Sequence, residues 1–166
     1  MATSPQNVRS LAASSALLLA LAGCGGSGDD GVAQTPSPPP APPAPVTLTG
    51  SVVVDQAIQN AVVCMDLNAN NVCDTGEPVS AKTGASGAYS ITYDPASITA
   101  AQATAASLIA TMVPGAPTNP NTTIDAAEPG VALTEKAYVL KQVPGKSGQI
   151  TPLTTLLAAG IQSGLA

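Results

Sequence analysis

Residues 61–79 read AVVCMDLNANNVCDTGEPV. An apolar, β-branched run leads into alternating Asp and Asn, and a Pro marks the exit. Ala61 to Met65 predicts a strand. Asp66 to Glu77 does not continue it, because Asp, Asn and Gly bond their own backbone and favour turns. Upstream, Val46 to Asp55 (VTLTGSVVVD) is β-branched, partly alternating and broken by one Gly, so it predicts another strand. The run DQAIQN supplies the turn between the two. Downstream, Pro78 to Thr83 predicts a short strand and Gly84 to Gly87 a turn. Ala88 to Tyr93 then alternates, with Tyr89, Ile91 and Tyr93 on one face. Short strands at this spacing suggest a sandwich of antiparallel sheets.

The segment between the strands carries metal-ligand spacing. With Asp66 as position one, oxygen-bearing side chains fall at positions 1 (Asp66), 3 (Asn68), 5 (Asn70), 9 (Asp74) and 12 (Glu77). Val72 stands at position 7, where the backbone carbonyl is the ligand. This is the pattern of a twelve-residue calcium loop, in which alternate residues point inward and a final Glu closes the sphere. Calcium is a hard cation that takes six to eight oxygens, so carboxylates, amides and a carbonyl suit it. Position 6 usually needs φ > 0 and holds Gly. Here it is Asn71, the next most tolerant residue. Three carboxylates and two neutral amides suggest modest affinity, suited to calcium-rich extracellular fluid. The alternative is an Asx-rich turn without metal. Strands flank the loop, so a helical EF-hand pair is not expected.

Cys64 and Cys73 bracket the first half of this loop. Outside the cytoplasm such a pair favours a disulfide over two free thiols. Closing this loop contributes about 2.5–3 kcal/mol in the chain-entropy model. A CxxC redox role does not fit the spacing.

The run from Val52 to Asp94, with its A-x-V, D-x-N-x-N, D-x-G-E-P and T-x-x-x-G-x-Y elements, resembles a recurrent module of bacterial surface proteins. It is similar to the B-type repeats of serine-aspartate-repeat adhesins and to the wider carboxypeptidase-regulatory-like, prealbumin-like group. The matching positions are Ala61 to Val63, Asp66 to Pro78, and Thr83 to Tyr89 with Gly87. The resemblance spans roughly residues 46–93. It implies an antiparallel, seven-stranded, prealbumin-like sandwich with calcium in an inter-strand loop, acting as spacer, stiffener or binding platform. The adhesin repeats lack this Cys pair, so the disulfide rests on the residues themselves.

The chain has 166 residues, room for one domain plus accessories. It contains no His, Trp or Phe and three Tyr, so its core must be aliphatic. Met1 to Ser10 carries one cation, Arg9, and Leu11 to Ala22 (LAASSALLLALA) is a short apolar run. Leu21-Ala22-Gly23-Cys24 follows. Charge, apolar run and tetrapeptide together resemble the signal peptide and lipobox of bacterial lipoproteins. The resemblance implies cleavage before Cys24 and a diacylglycerol on its thiol. Gly25, in place of Asp, leans toward the outer membrane. Gly25 to Pro45 reads as a spacer that begins flexible and stiffens into TPSPPPAPPAP. Without its signal the chain carries four Lys against ten acids, a net charge of −6, and has no basic cluster for nucleic acid.

Toward the C-terminus, Ser97 to Ala106 predicts a short helix capped by Ser97 or Thr99. Leu108 to Val113 predicts a buried strand, and Gly115 to Gly130 a loop. Lys136 to Val143 predicts the last strand, its lysines suited to an edge. Pro144 to Gly148 contains Gly-Lys-Ser, but Leu140 stands where a phosphate loop needs Gly. A helix begins around Ile150, with Thr151 as cap, Pro152 in the first turn and Leu153, Leu156 and Leu157 as an apolar stripe. That helix either docks on the sandwich or belongs to a longer chain.

The expected organisation is therefore signal peptide (1–23), lipidated Cys and linker (24–45), β-sandwich (46–143), and loop with C-terminal helix (144–166). The expected role is a calcium-stabilised structural or binding module, tethered by lipid in the cell envelope, with a surface protein or carbohydrate as partner. The alternatives are an envelope assembly component without metal and a hydrolytic enzyme. Absence of His excludes His-based triads and His-ligated zinc, so no catalytic residue is assigned.

Overall fold

A computed structural model describes residues 37–164 apart from residue 132. Cys24 and the apolar run 11–22 lie outside the described residues. In chain order the elements are β1 (Val46–Val52), β2 (Ile58–Gln59), β3 (Val62–Asp66), β4 (Ala88–Tyr93), α1 (Ala100–Ala105), β5 (Ser107–Met112), β6 (Ile124–Asp125), β7 (Tyr138–Lys141), β8 (Gly148–Ile150) and α2 (Pro152–Gln162). The chain is mainly β, with several sheets and a short C-terminal helix, and no barrel closes among the described residues.

Two three-stranded sheets and one two-stranded sheet form, in the orders β4-β1-β8, β3-β5-β7 and β2-β6. β1 and β4 run antiparallel from Val46↔Tyr93 to Ser51↔Ala88, and β8 joins the other side of β1 in parallel. β5 is the centre of the second sheet, antiparallel to both neighbours. It carries the apolar stretch read as a buried strand, and five of its six residues are buried.

One cluster of buried side chains draws on both larger sheets. Val52, Tyr89, Ile91 and Ile150 come from one, and Val63, Met65, Leu108, Ala110, Met112 and Leu140 from the other. Fully burying each of the larger aliphatics stabilises by about 1.5–3 kcal/mol. With no Phe or Trp available, Ile and Met fill the space that aromatic rings usually take. Alternation along β4 works as the sequence predicts: Tyr89 and Ile91 are buried, and Tyr93 packs against the cluster.

Several sequence expectations need correction. Pro78 to Thr83 is not a strand; it makes a single bridge, Cys64↔Val79. It lies beside β3 and keeps backbone bonds there, from Met65 N–H to the Pro78 carbonyl, Ser80 N–H to the Val63 carbonyl and Thr83 N–H to the Ala61 carbonyl, with side-chain bonds added to them. The hydroxyls of Ser80 and Thr83 accept from the N–H groups of Val63 and Ala61. The run 115–130 is not all loop, because β6 pairs with β2. The strand of residues 136–143 is shorter, spans Tyr138–Lys141 and is not the last. It does form a sheet edge, but Lys141 is buried (9% exposed) rather than displayed to water. α2 explains this burial: Thr155 accepts from the Lys141 N–H (2.8 Å) and Thr154 donates to the Lys141 carbonyl (2.7 Å). The helix thereby satisfies the open edge of β7, which would otherwise invite pairing with another strand. Ile150 ends β8, and the helix follows with Thr151 as its cap and Pro152 in its first turn, as the sequence predicts.

Candidate functional site

β3 delivers Asp66 to the mouth of the loop. As the strand's last residue, in register with Ser107, its carboxylate is fixed by the ladder and is 1% exposed. Beyond it the backbone coils tightly. Ala69 and Asn71 take left-handed conformations, with φ of 60° and 63°. Asn71 therefore fills the role expected of position 6. Ala69 has no such preference and costs about 1–2 kcal/mol in that region.

This coil turns successive N–H groups inward onto side-chain oxygens. The two oxygens of Asp66 accept from Asn70 N–H (3.2 Å) and Asn71 N–H (3.0 Å). Asn68 Oδ1 accepts from Asn70 N–H at 3.1 Å, and Asn70 Oδ1 from Val72 N–H at 2.8 Å. The amide groups of Asn68 and Asn70 both donate to Asp74 Oδ2, at 2.8 and 2.7 Å. Glu77 closes the ring as a two-ended latch: Oε1 accepts from Leu67 N–H (2.8 Å) and Oε2 from Asp74 N–H (3.0 Å).

Asp66, Asn68, Asn70, Asp74 and Glu77 thus share one hydrogen-bonded loop. Val72 enters through its backbone, and its side chain is 54% exposed. Three carboxylates stand within twelve residues that hold no Lys or Arg, so a cation is the natural charge complement. Among the described residues, no three His, Cys, Asp or Glu side chains gather closely enough to hold a metal ion. An ion here has to draw on the amide oxygens of Asn68 and Asn70 or on backbone carbonyls. The donor set, all oxygen, suits a hard cation and not a thiolate- or imidazole-loving one.

Cys64 and Cys73 form the expected disulfide, with S–S 2.04 Å and Cα atoms 5.7 Å apart. Cys64 lies on the face of β3 turned away from the shared core, alternating with the core residues Val63 and Met65. The disulfide therefore pins the loop to the outer face of the β3-β5-β7 sheet, where Cys73 Sγ lies 3.9 Å from Thr111 Oγ1.

The Glu77 latch was not legible in the sequence, where Glu77 reads as a ligand alone. Its partners are backbone N–H groups, which no residue type announces. No protein-family model, curated protein or solved structure matches the chain.

Proposed function

We propose that this chain is a non-catalytic structural or binding module of the bacterial cell envelope, held to a membrane by lipid on Cys24 and stiffened by calcium in the Asp66–Glu77 loop. The observation that carries the reading is a disulfide-closed loop in which the Asn68 and Asn70 amides meet Asp74, while Asp66 and Glu77 bond backbone N–H groups of the same loop. The anchor rests on the apolar run 11–22 and Leu21-Ala22-Gly23-Cys24, with the outer membrane as destination. The two three-stranded sheets around a common core are read as a prealbumin-like sandwich. A surface protein or carbohydrate is the expected partner.

Calcium would be held by the carboxylates of Asp66, Asp74 and Glu77, the amide oxygens of Asn68 and Asn70, and the carbonyl of Val72, and its binding would have to draw together the three carboxylates, which do not gather in this structure. Half a turn of each Asn amide exchanges Nδ2 for Oδ1 on the side facing Asp74, at the cost of the bonds that Oδ1 now accepts from Asn70 N–H and Val72 N–H. The loop would then present an oxygen-lined ring in place of the present N–H donors. With two neutral side-chain ligands beside the Val72 carbonyl, the dissociation constant belongs in the range of about 10⁻⁴–10⁻³ M.

The test is a melting curve of the full chain in detergent, first with EDTA and then with about ten times the dissociation constant of calcium. Mass action then adds about 1.4 kcal/mol, a rise of roughly 3–6 °C for a domain of this size. Asp74→Asn keeps the shape of the loop, removes a charge and abolishes the rise. No shift in the unaltered chain would leave an Asx-rich turn held by its disulfide.

A second reading, a metal-independent envelope assembly component, has one observation in its favour. The amides of Asn68 and Asn70 already satisfy Asp74, and Cys64–Cys73 already closes the loop. The same melting curve separates the two readings.

A further inference from the structure

α2 is amphipathic, but it is mounted with its apolar side outward. It docks through small and polar residues: Ala158 is fully buried, and Thr154 and Thr155 bond the main chain of Lys141. The opposite side carries Leu153 (66% exposed), Leu156 (70%), Leu157 (52%) and Ile161 (44%). These positions follow helical spacing, so they form one continuous stripe. Beyond Lys146 there is no Asp, Glu, Lys or Arg up to residue 166. Exposed aliphatic area of the order of 400 Å² in one patch matches the largest patch of a typical monomer, which is often functional.

The choice of occupant follows from area, chemistry and tether. Two copies meeting through this stripe would bury about 800 Å² in total, below the roughly 1,200 Å² of specific, stable protein interfaces. Protein interfaces also carry about one hydrogen bond per 100–200 Å², and Leu and Ile side chains offer none. A bilayer needs neither a minimum matched area nor directional bonds, because partitioning scales with the apolar area inserted. The spacer from Gly25 to Pro45 reaches up to about 65 Å if extended as polyproline II. A tether of that length makes the second contact intramolecular and gives it a high effective concentration.

We propose that the outer face of α2 is a second membrane contact, lying in the headgroup–acyl boundary of the bilayer that holds the anchor. This rests on the reading of Cys24 as the lipid site. The domain is then held at two points and lies against the bilayer instead of swinging freely on its spacer. The contact is apolar, and the chain without its signal carries net negative charge, so it needs no anionic lipid and is insensitive to salt.

The chain has no Trp, so Leu156→Trp places a single reporter on the stripe at a position too exposed to disturb folding. Thr118→Trp, in an exposed loop, is the comparison. Each full chain is made with its own signal, purified and reconstituted into phosphatidylcholine vesicles containing acyl-brominated lipid. The expected result is blue-shifted emission and severalfold quenching for Leu156→Trp, unchanged in high salt, and neither effect for Thr118→Trp. Adding Leu153→Gln and Leu157→Gln to the Leu156→Trp chain should remove most of the quenching. Water-like emission without quenching overturns the proposal. So does a blue shift that lipid does not quench and that grows with protein density, because a second copy then covers the face. The mass of the peptide containing Cys24 reports the anchor separately. If that peptide carries no lipid, the anchor reading fails, while quenching on the same vesicles still decides the helix face.

Discussion

The hydroxyl of Tyr89 makes two bonds to one residue: it donates to the Gly148 carbonyl (2.8 Å) and accepts from the Gly148 N–H (3.2 Å). To do so it reaches over Gly50, where a Cβ would collide with both the Gly148 carbonyl and the hydroxyl itself. Gly50 is therefore a condition for joining β8 to β1. Burial raises the Tyr89 phenol above its ordinary value of 10.0, outweighing the hydrogen bond from Gly148, which lowers it. The neutral phenol is the form that the folded state favours. Its contribution is complete below pH 10.0 and is lost as pH rises through the raised value. Tyr89→Phe should cost about 1–2 kcal/mol at neutral pH and flatten the fall in stability above pH 10. Part of the slope remains, because burial raises Tyr138 in the same direction. Denaturant titrations at pH 7 and pH 10.5 check both; an equal slope in the variant would remove Tyr89 from the account. The left-handed Asn71 and the cap at Thr151 are legible at this scale because side-chain chemistry prefers those conformations. The left-handed Ala69 is not, since nothing in its side chain favours that region.

Among the elements, the segment 78–83 shows where periodicity misleads. Its composition resembles a strand, and it bonds the β3 side through its backbone, but the hydroxyls of Thr83 and Ser80 take the N–H groups of Ala61 and Val63, so only one bridge forms. Thr83, 2% exposed, accepts from Ala61 N–H (2.9 Å) and donates to Ile58 O (2.7 Å), so one side chain splices the start of β2 to the residue that leads into β3. Thr83→Val preserves shape and leaves a buried donor and a buried acceptor without those partners. The expected loss is about 2–4 kcal/mol, since each unsatisfied group costs about 1–3 kcal/mol and local relaxation recovers some. Chemical denaturation should show an unchanged m-value. A loss under half a kcal/mol would mean that water reaches both groups. The predicted strands that survive best, β1, β3, β4 and β5, owe their order to apolar content along their own length. β2, β6 and β8 are two or three residues long and exist because of their partners, so no local pattern discloses them.

At the scale of the whole molecule, the decisive contact is the parallel pairing of the first strand with the last. Gly50, Ser51 and Val52 lie in register with Gly148, Gln149 and Ile150, and Val53 N–H continues to the Ile150 carbonyl at 3.0 Å. Sequence periodicity shows which face of a strand is buried but not which strand lies beside it. A boundary at residue 143 is therefore reasonable from composition, and the pairing crosses it. The consequence is testable by deletion from either end. A chain ending at Val143 loses Ile150 from the core, exposes the flank of β1 and strips Lys141 of both threonine partners. Removing the Ile150 side chain alone is worth about 2–5 kcal/mol, against a total stability of about 5–15 kcal/mol for a domain of ordinary size. Such a chain should show no cooperative melting transition and should aggregate through the open edges of β1 and β7. A chain beginning at Pro40, where the compact unit starts, should melt within about 2 °C of the full chain, since this removes none of the buried contacts described above. Cooperative melting of the C-terminal truncation would mean that β8 and α2 are appendages. The outward stripe of α2 would then be carried on an element free to leave the domain, rather than on one that the first strand holds in place.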